Sequence, residues 1–267
     1  MTTSNNVWAD EAPLYSQRRP APPPALTEIL TRIIHTPHPA LVVDLGSGTG
    51  LSTTIWGERA ERVIGIEPSD EMRNEASHAL TANPHVPNIT YKAGVAHQTG
   101  LPDNSVDVVT CAQSFHWMEP TSTLTEIARI LRPGGVFAAY DYDWPPIVGW
   151  ELEKAYEEFE ERFDRFMETR GGGSRAPRWS KAGHLERIRA SGHFRFTREL
   201  LLHHREEGNA SRFFDLIMTN GYNFHIGQGL VTEEELKVDE LREAVNHYIG
   251  SETVPFYFSY RVRLGIK

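Results

Sequence analysis

The chain has 267 residues, enough for one substantial core and a smaller appendage. Hydrophobic residues make up 39% and charged residues 24%, with no apolar run near the length of a bilayer span, so an embedded or disordered chain is not expected. Lys plus Arg number 27 against 36 Asp plus Glu, and the net charge of −9 argues against a nucleic-acid partner. The opening Met1-Thr2-Thr3-Ser4 lacks the basic-then-apolar pattern of a secretory leader, and a single cysteine, Cys111, precludes an internal disulfide. A cytoplasmic monomer or homodimer with an inert, buried thiol is the expectation.

Residues 1–24 read as an irregular arm, because Pro13, Pro20 and Pro22-Pro23-Pro24 remove backbone donors and favour extended chain. A helix is expected over 25–35, stopped by Pro37 and Pro39. Ala40-Leu41-Val42-Val43-Asp44-Leu45 is an uninterrupted apolar run, the signature of a strand covered on both faces. A glycine-rich turn follows, then an expected helix over 51–59 and a second buried strand over 62–67. Ser69 or Asp70 can cap a helix running to residue 80. Strands over 88–92, 106–112 and 136–140 and a helix over 121–131 continue the alternation. Strand and helix alternating through short loops define a parallel α/β sheet with helices on both faces.

The rhythm changes after residue 142. Residues 151–170 form a charged helix with Leu152, Tyr156, Phe159, Phe163 and Phe166 along one face, followed by Gly171-Gly172-Gly173-Ser174. The stripe is expected to cap the sheet edge, with a dimer contact as the alternative. A strand over 194–204, helices over 211–216 and 233–248, and a closing strand over 254–264 complete the chain. The division expected is an arm at 1–24, a core at 25–145, and a cap plus the last two strands of the same sheet at 146–267.

Ligands of open parallel sheets lie at the carboxyl ends of the strands, so the first turn is the place to look. Gly46-Ser47-Gly48-Thr49-Gly50 lets backbone approach a ligand closely. The dinucleotide pattern wants a small residue where Leu51 stands, which counts against a nicotinamide-dependent oxidoreductase. Glu67 closes the second strand 17 residues beyond Gly50, where its carboxylate can accept two ribose hydroxyls. That residue indicates a nucleoside without choosing the cofactor.

VVDLGSGTG at 42–50, IGIEPSDEM at 64–72 and GLPDNSVDVVTCAQSFHWM at 100–118 resemble the class I S-adenosylmethionine-dependent methyltransferases. The likeness is greatest to the type 11, small-molecule group that includes trans-aconitate methyltransferase-like enzymes, which Tyr15, Arg19-Pro20 and LRPGG at 131–135 also match. The resemblance implies a Rossmann-like, doubly wound, mostly parallel seven-stranded sheet with a helical cap, and S-adenosyl-L-methionine as cofactor. It further implies Gly46, Ser47 and Gly48 along the methionine portion, Asp44 toward the ammonium, and Glu67 on the ribose. Pro68, Met72 and the backbone of Ala96 would meet the adenine and Gln113 the methionine end, with Tyr15 and Arg19 of the opening motif also binding the cofactor. Val95 departs from the acid common at its position, leaving the adenine amino group without that partner.

Methyl transfer from a sulfonium is an in-line displacement, so alignment and water exclusion are the protein's main tasks, and orientation alone supplies roughly 7–11 kcal/mol. A carboxylate acceptor needs no base; a phenol, alcohol or carbon acid does. His116, just past the fourth strand, is the candidate catalytic residue as base, substrate-positioning donor or loop brace. Trp117 reads as an aromatic wall able to face a cation. Tyr142 and Asp143 leave the fifth strand at the same edge, and one or two of Arg170, Arg175, Arg178 and Lys181, with Arg175 and Arg178 foremost, could clamp an anionic substrate. His203-His204 lacks a third ligand, so no metal is expected. O-methylation of a small carboxylic acid or phenol is the leading expectation; C- or N-methylation and a non-catalytic cofactor binder are the alternatives.

Overall fold

The computed structural model describes residues 18–81, 86–170 and 178–267. Tyr15, Arg175, the Gly171–Ser174 run and most of the expected arm lie outside the described residues. The described residues fall into two compact units, one within 21–142, 177–202 and 259–267, the other within 1–20, 143–176 and 203–258. No described helix is long and apolar enough to cross a membrane.

In the first unit, helix α1 (Ala25–Ile33) buries Leu26 and Leu30. Strands β1 (Val42–Leu45) and β2 (Val63–Glu67) are buried at every position, as their uninterrupted apolar runs require. Helix α2 (Asp70–Thr81) begins where Ser69 Oγ accepts the Met72 N–H at 3.2 Å, so the expected cap is present. β3 (Ile89–Ala93), β4 (Val106–Ala112), α3 (Pro120–Ile130) and β5 (Leu131–Tyr142) follow. α3 is capped by Glu119, whose carboxylate accepts from Thr121 N and Ser122 N. Helix α5 (His184–Ala190) returns to this unit and adds Ile188 to the apolar cluster beneath β4 and β5, beside Phe115 and Phe137.

The second unit is helical. It holds α4 (Trp150–Thr169), α6 (Ala210–Met218), α7 (Tyr222–Gly227), α8 (Glu233–Leu236) and α9 (Val238–Ile249). The α4 stripe meets helices of its own unit. Phe159 and Phe163 each lie edge-on to Tyr222 at 4.8 Å, and Phe163 also meets His225. Leu241, Val245 and Ile249 of α9 are buried too, and α9 packs on α4. The stripe therefore forms a local helical core, with Phe166 only half-buried.

Strands β6 (Phe196–Gly208) and β7 (Val254–Ile266) contribute residues to both units. The seven-stranded sheet has the order β3-β2-β1-β4-β5-β7-β6, parallel from β3 to β5, with β7 antiparallel to β5. The doubly wound expectation is met. The chain winds outward through β2 and β3, then crosses to β4 on the other side of β1. The switch point thus falls between β1 and β4.

Several local expectations are corrected. Residues 51–59 form turns with one 3-10 turn, Thr54–Trp56, in place of a helix. The hydroxyl of Thr53 donates to Asp44, that of Ser52 pairs with Tyr140 and that of Thr54 donates to the Leu51 carbonyl, so the turns are tied by side chains to β1 and β5. The helix expected over 233–248 is broken at Lys237, which sits at φ 55° between α8 and α9. α5 and α7, only 7 and 6 residues long, are too short to show a period.

Candidate active site at the switch point

The carboxyl ends of β1, β2, β4 and β5 lie within the first unit and gather most of the expected site residues. The turn after β1 is tied to β2, because Gly46 N and Ser47 N both donate to the Ile66 carbonyl, at 2.8 and 3.3 Å. Gly46 sits at φ +65°, and a Cβ there would lie 2.8 Å from Ser114 Cβ and 2.9 Å from Met118 Cε. Ser114 Oγ in turn donates to the Leu45 carbonyl at 2.7 Å, closing the β4 loop onto β1 across the switch point. Gly48, at φ +54°, is different: a Cβ there would meet nothing within 4 Å. The turn is backed by packed side chains at its first glycine and open at its second. The hydroxyls of Ser47 and Thr49 are buried without a hydrogen-bond partner among the described residues.

Glu67 ends β2 with its carboxylate across this turn. One oxygen accepts Gly48 N at 3.0 Å and the other Ser69 N at 3.0 Å. Burial pushes its pKa above the ordinary value, against those two hydrogen bonds. Asp44 is fully buried, and its two oxygens accept the hydroxyls of Thr110 at 2.7 Å and Thr53 at 2.8 Å. Burial, opposed by these hydroxyls, holds its carboxyl up at about 6. Asp44 is thus anchored in the frame of the turn. Met72 and Ala96 are buried, Pro68 is exposed, and Val95 is 38% exposed.

Gln113 leaves β4 at φ 51°, an uncommon conformation for a side chain of this size. Its N–H donates to the Tyr140 carbonyl at 2.9 Å, and its Oε1 accepts the Lys181 ammonium at 2.6 Å. Lys181 also faces Asp141 Oδ1 at 3.3 Å. Asp141, buried at the end of β5, is the hub of this half of the edge. Arg263 Nη1 donates to its Oδ2 at 3.0 Å, His116 Nδ1 stands 3.8 Å from Oδ1, and His184 Nε2 stands 4.0 Å from Oδ2. Arg263 continues to Glu199 Oε2 at 2.9 Å. Burial, reinforced by Lys181 and Arg178, drives the His116 pKa down to about 2. Burial and the charge of Arg263 hold His184 at about 3. Both imidazoles are neutral at physiological pH.

The remaining described candidates make the following contacts. Trp117 carries the Arg178 guanidinium over its ring at 4.1 Å, so the cation on its face is the protein's own. Tyr142 is buried edge-on to Tyr260 at 5.5 Å. Asp143 is exposed and belongs to the second unit. Arg19 is there too, donating to the Thr219 carbonyl at 3.1 Å and Asn220 Oδ1 at 3.4 Å, over the Trp144 ring. Cys111 is buried and its thiol pKa is raised well above normal by burial, as an inert thiol requires. Asp141, His184 and Arg263 were not singled out from sequence. The only prior signal was an acid ending an apolar strand at Asp141.

Residues 43–139 match the methyltransferase domain family. An uncharacterized methyltransferase of Mycobacterium tuberculosis is 38% identical over 140 residues, covering 52% of this chain and 53% of that protein. The chain thus spans about half the length of the curated relatives it matches. A solved protein of Anaeromyxobacter dehalogenans, assigned to the type II methyltransferases, superimposes with a TM-score of 0.66 at 23% identity, covering 93% of this chain and 97% of that one. The YcgJ protein of Bacillus subtilis gives a TM-score of 0.56 at 18% identity, over 90% and 97%. These two show the fold. Residues 43–139 are thus similar to a methyltransferase domain, and the chain shares its Rossmann-like fold with these solved proteins.

Proposed function

We propose that the chain binds S-adenosylmethionine over the turn at 46–50 and transfers its methyl group to a small-molecule acceptor. When bound, the cofactor supplies a methyl group activated by a sulfonium, which departs as a neutral thioether. The observation that carries this reading is Glu67, whose two oxygens meet Gly48 N and Ser69 N at the mouth of the open turn. Such a carboxylate has lone pairs left for vicinal hydroxyls. The unpaired hydroxyls of Ser47 and Thr49 and the open space over Gly48 fit a polar ligand laid along the backbone. Met72 and Ala96 offer a buried apolar wall for a flat base, and the negative charge of Asp44 favours a cationic ligand.

O-methylation is favoured, with a carboxylate ahead of a phenol. A phenol needs a proton acceptor poised near neutrality. His116, held at about 2, is too weak a base, and Asp44, though near 6, is sealed behind Thr53 and Thr110. His116 is therefore assigned as a hydrogen-bonding, positioning group. Trp117 and Arg178 lie beside it as a stacked pair on the acceptor side.

The test pairs binding with turnover. Saturating S-adenosylhomocysteine at about 100 times its dissociation constant adds roughly 2.7 kcal/mol of stability, while NADH adds none. Labelled methyl is then followed into a panel of small carboxylic acids and phenols. Stabilisation by NADH alone would falsify the cofactor assignment. Stabilisation by S-adenosylhomocysteine without transfer to any small acceptor would leave a cofactor-binding protein without this activity.

A further inference from the structure

Four cations followed the long helix in the sequence, and the described three have separated fates. Arg170 forks onto Glu235 and the Leu230 carbonyl within the helical unit. Arg178 is stacked on Trp117. Lys181, half-exposed, is the one brought to the carboxyl edge of β4 and β5, between Gln113 and Asp141.

We infer that Lys181 receives the acceptor's carboxylate and so sets specificity for an anionic substrate, an inference that rests on the methyl-transfer reading above. Three observations point to it. First, the chain as a whole carries a charge of −9, yet four cations gather at this edge: Lys181 and Arg263 on Asp141, Arg178 over Trp117, and Arg187 beside His184. Cationic surroundings of this kind draw in and hold an anion. Second, Lys181 can shift without stranding its partner. Buried Arg263 holds Asp141 at 3.0 Å by a separate bond, so the carboxylate stays neutralised when the ammonium turns. A lysine ammonium has three rotatable donors on a flexible stem, which suits that movement. Third, Lys181 bonds Gln113 directly, so an anion at Lys181 lies one side chain from the loop that closes onto β1.

The experiment uses the full chain loaded with S-adenosylhomocysteine, probed by saturation-transfer NMR with a mixture of aliphatic and aromatic carboxylic acids and their matched primary amides. The native protein is expected to bind acids in preference to amides. Lys181→Met and Lys181→Gln should each weaken the acids by about tenfold or more, the range of one charge-assisted hydrogen bond. Amide binding and S-adenosylhomocysteine affinity should stay within about twofold, and Lys181→Arg should restore part of the preference. Equal binding of acids and amides by the native chain, or unchanged acid binding in both variants, overturns the assignment. Weaker S-adenosylhomocysteine binding with the acid preference intact also overturns it, since Lys181 would then only orient Gln113. Failure of the native chain to bind S-adenosylhomocysteine, measured before any acid is added, instead sinks the methyl-transfer reading beneath it.

Discussion

The two halves of the carboxyl edge are built on opposite charges. At β1 and β2 the frame is acidic, with Asp44 and Glu67 buried among hydroxyls and backbone N–H groups. At β5 a single buried carboxylate, Asp141, is surrounded by Lys181, Arg263 and two imidazoles. Burial acts on both halves through one rule, disfavouring the charged form. It raises Asp44 to about 6 and lowers His116 to about 2. A cationic ligand relieves the first half, and an anionic one suits the second. A methyl donor bearing a sulfonium and an acceptor bearing a carboxylate are such a pair. The contrast teaches that this edge is arranged by charge as well as by shape.

The sharpest way to break the contrast is Glu67→Ala. It removes the acceptor at the open turn and should weaken S-adenosylhomocysteine by about a hundredfold by calorimetry, with little effect on any acidic acceptor. Unchanged cofactor affinity would remove the acidic half from the site. Gly46→Ala comes next, adding a methyl at positive φ against Ser114 and Met118. A loss of about 2–3 kcal/mol in denaturant unfolding is expected from strain and overpacking together.

The third prediction concerns pH. The folded-state pKa of Asp44 is raised from 3.8 to about 6, so its contribution to stability is full below 3.8 and lost as pH rises through about 6. Asp44→Asn should flatten that part of the melting-temperature profile. The affinity for a cationic ligand should rise over the same window in the native chain and lose that rise in the variant. His116→Asn is smaller still. The imidazole stays neutral above about pH 3, so turnover in the native chain should show no limb near pH 6–7 from this residue. The variant should lose about tenfold or less in kcat, and a native limb that disappears in it would restore His116 as a base. Arg178→Ala is the mildest, costing about 0.5–1 kcal/mol of stacking on Trp117 and read as a slight rise in acceptor KM.

Much of the acidic half was legible in the sequence and little of the cationic half was. β1, β2 and β4 announce themselves as apolar runs because both faces of a parallel sheet are covered. The glycines at 46 and 48 and the acid at 67 lie within 22 residues of one another and follow the strands they serve. The partners of Asp141 come from far along the chain, Arg263 at a separation of 122 residues. No periodicity marks a lysine or histidine that will be carried to a strand end by a short helix. At 51–59 the hydroxyls of Ser52 and Thr53 are tied to Tyr140 and Asp44 on other strands, which propensity does not register, and at 237 a single left-handed residue interrupts an apparent helical pattern.

By itself, the sequence determined the succession of strands, the open glycine turn and the acid that faces it, since each depends on neighbours a few residues away. Only tertiary structure decided which cations meet which carboxylates, that His116 is held neutral, and that Trp117 is covered by Arg178. Those outcomes depend on burial and on charges converging from distant segments, and a buried group's protonation follows from whatever the completed fold places around it.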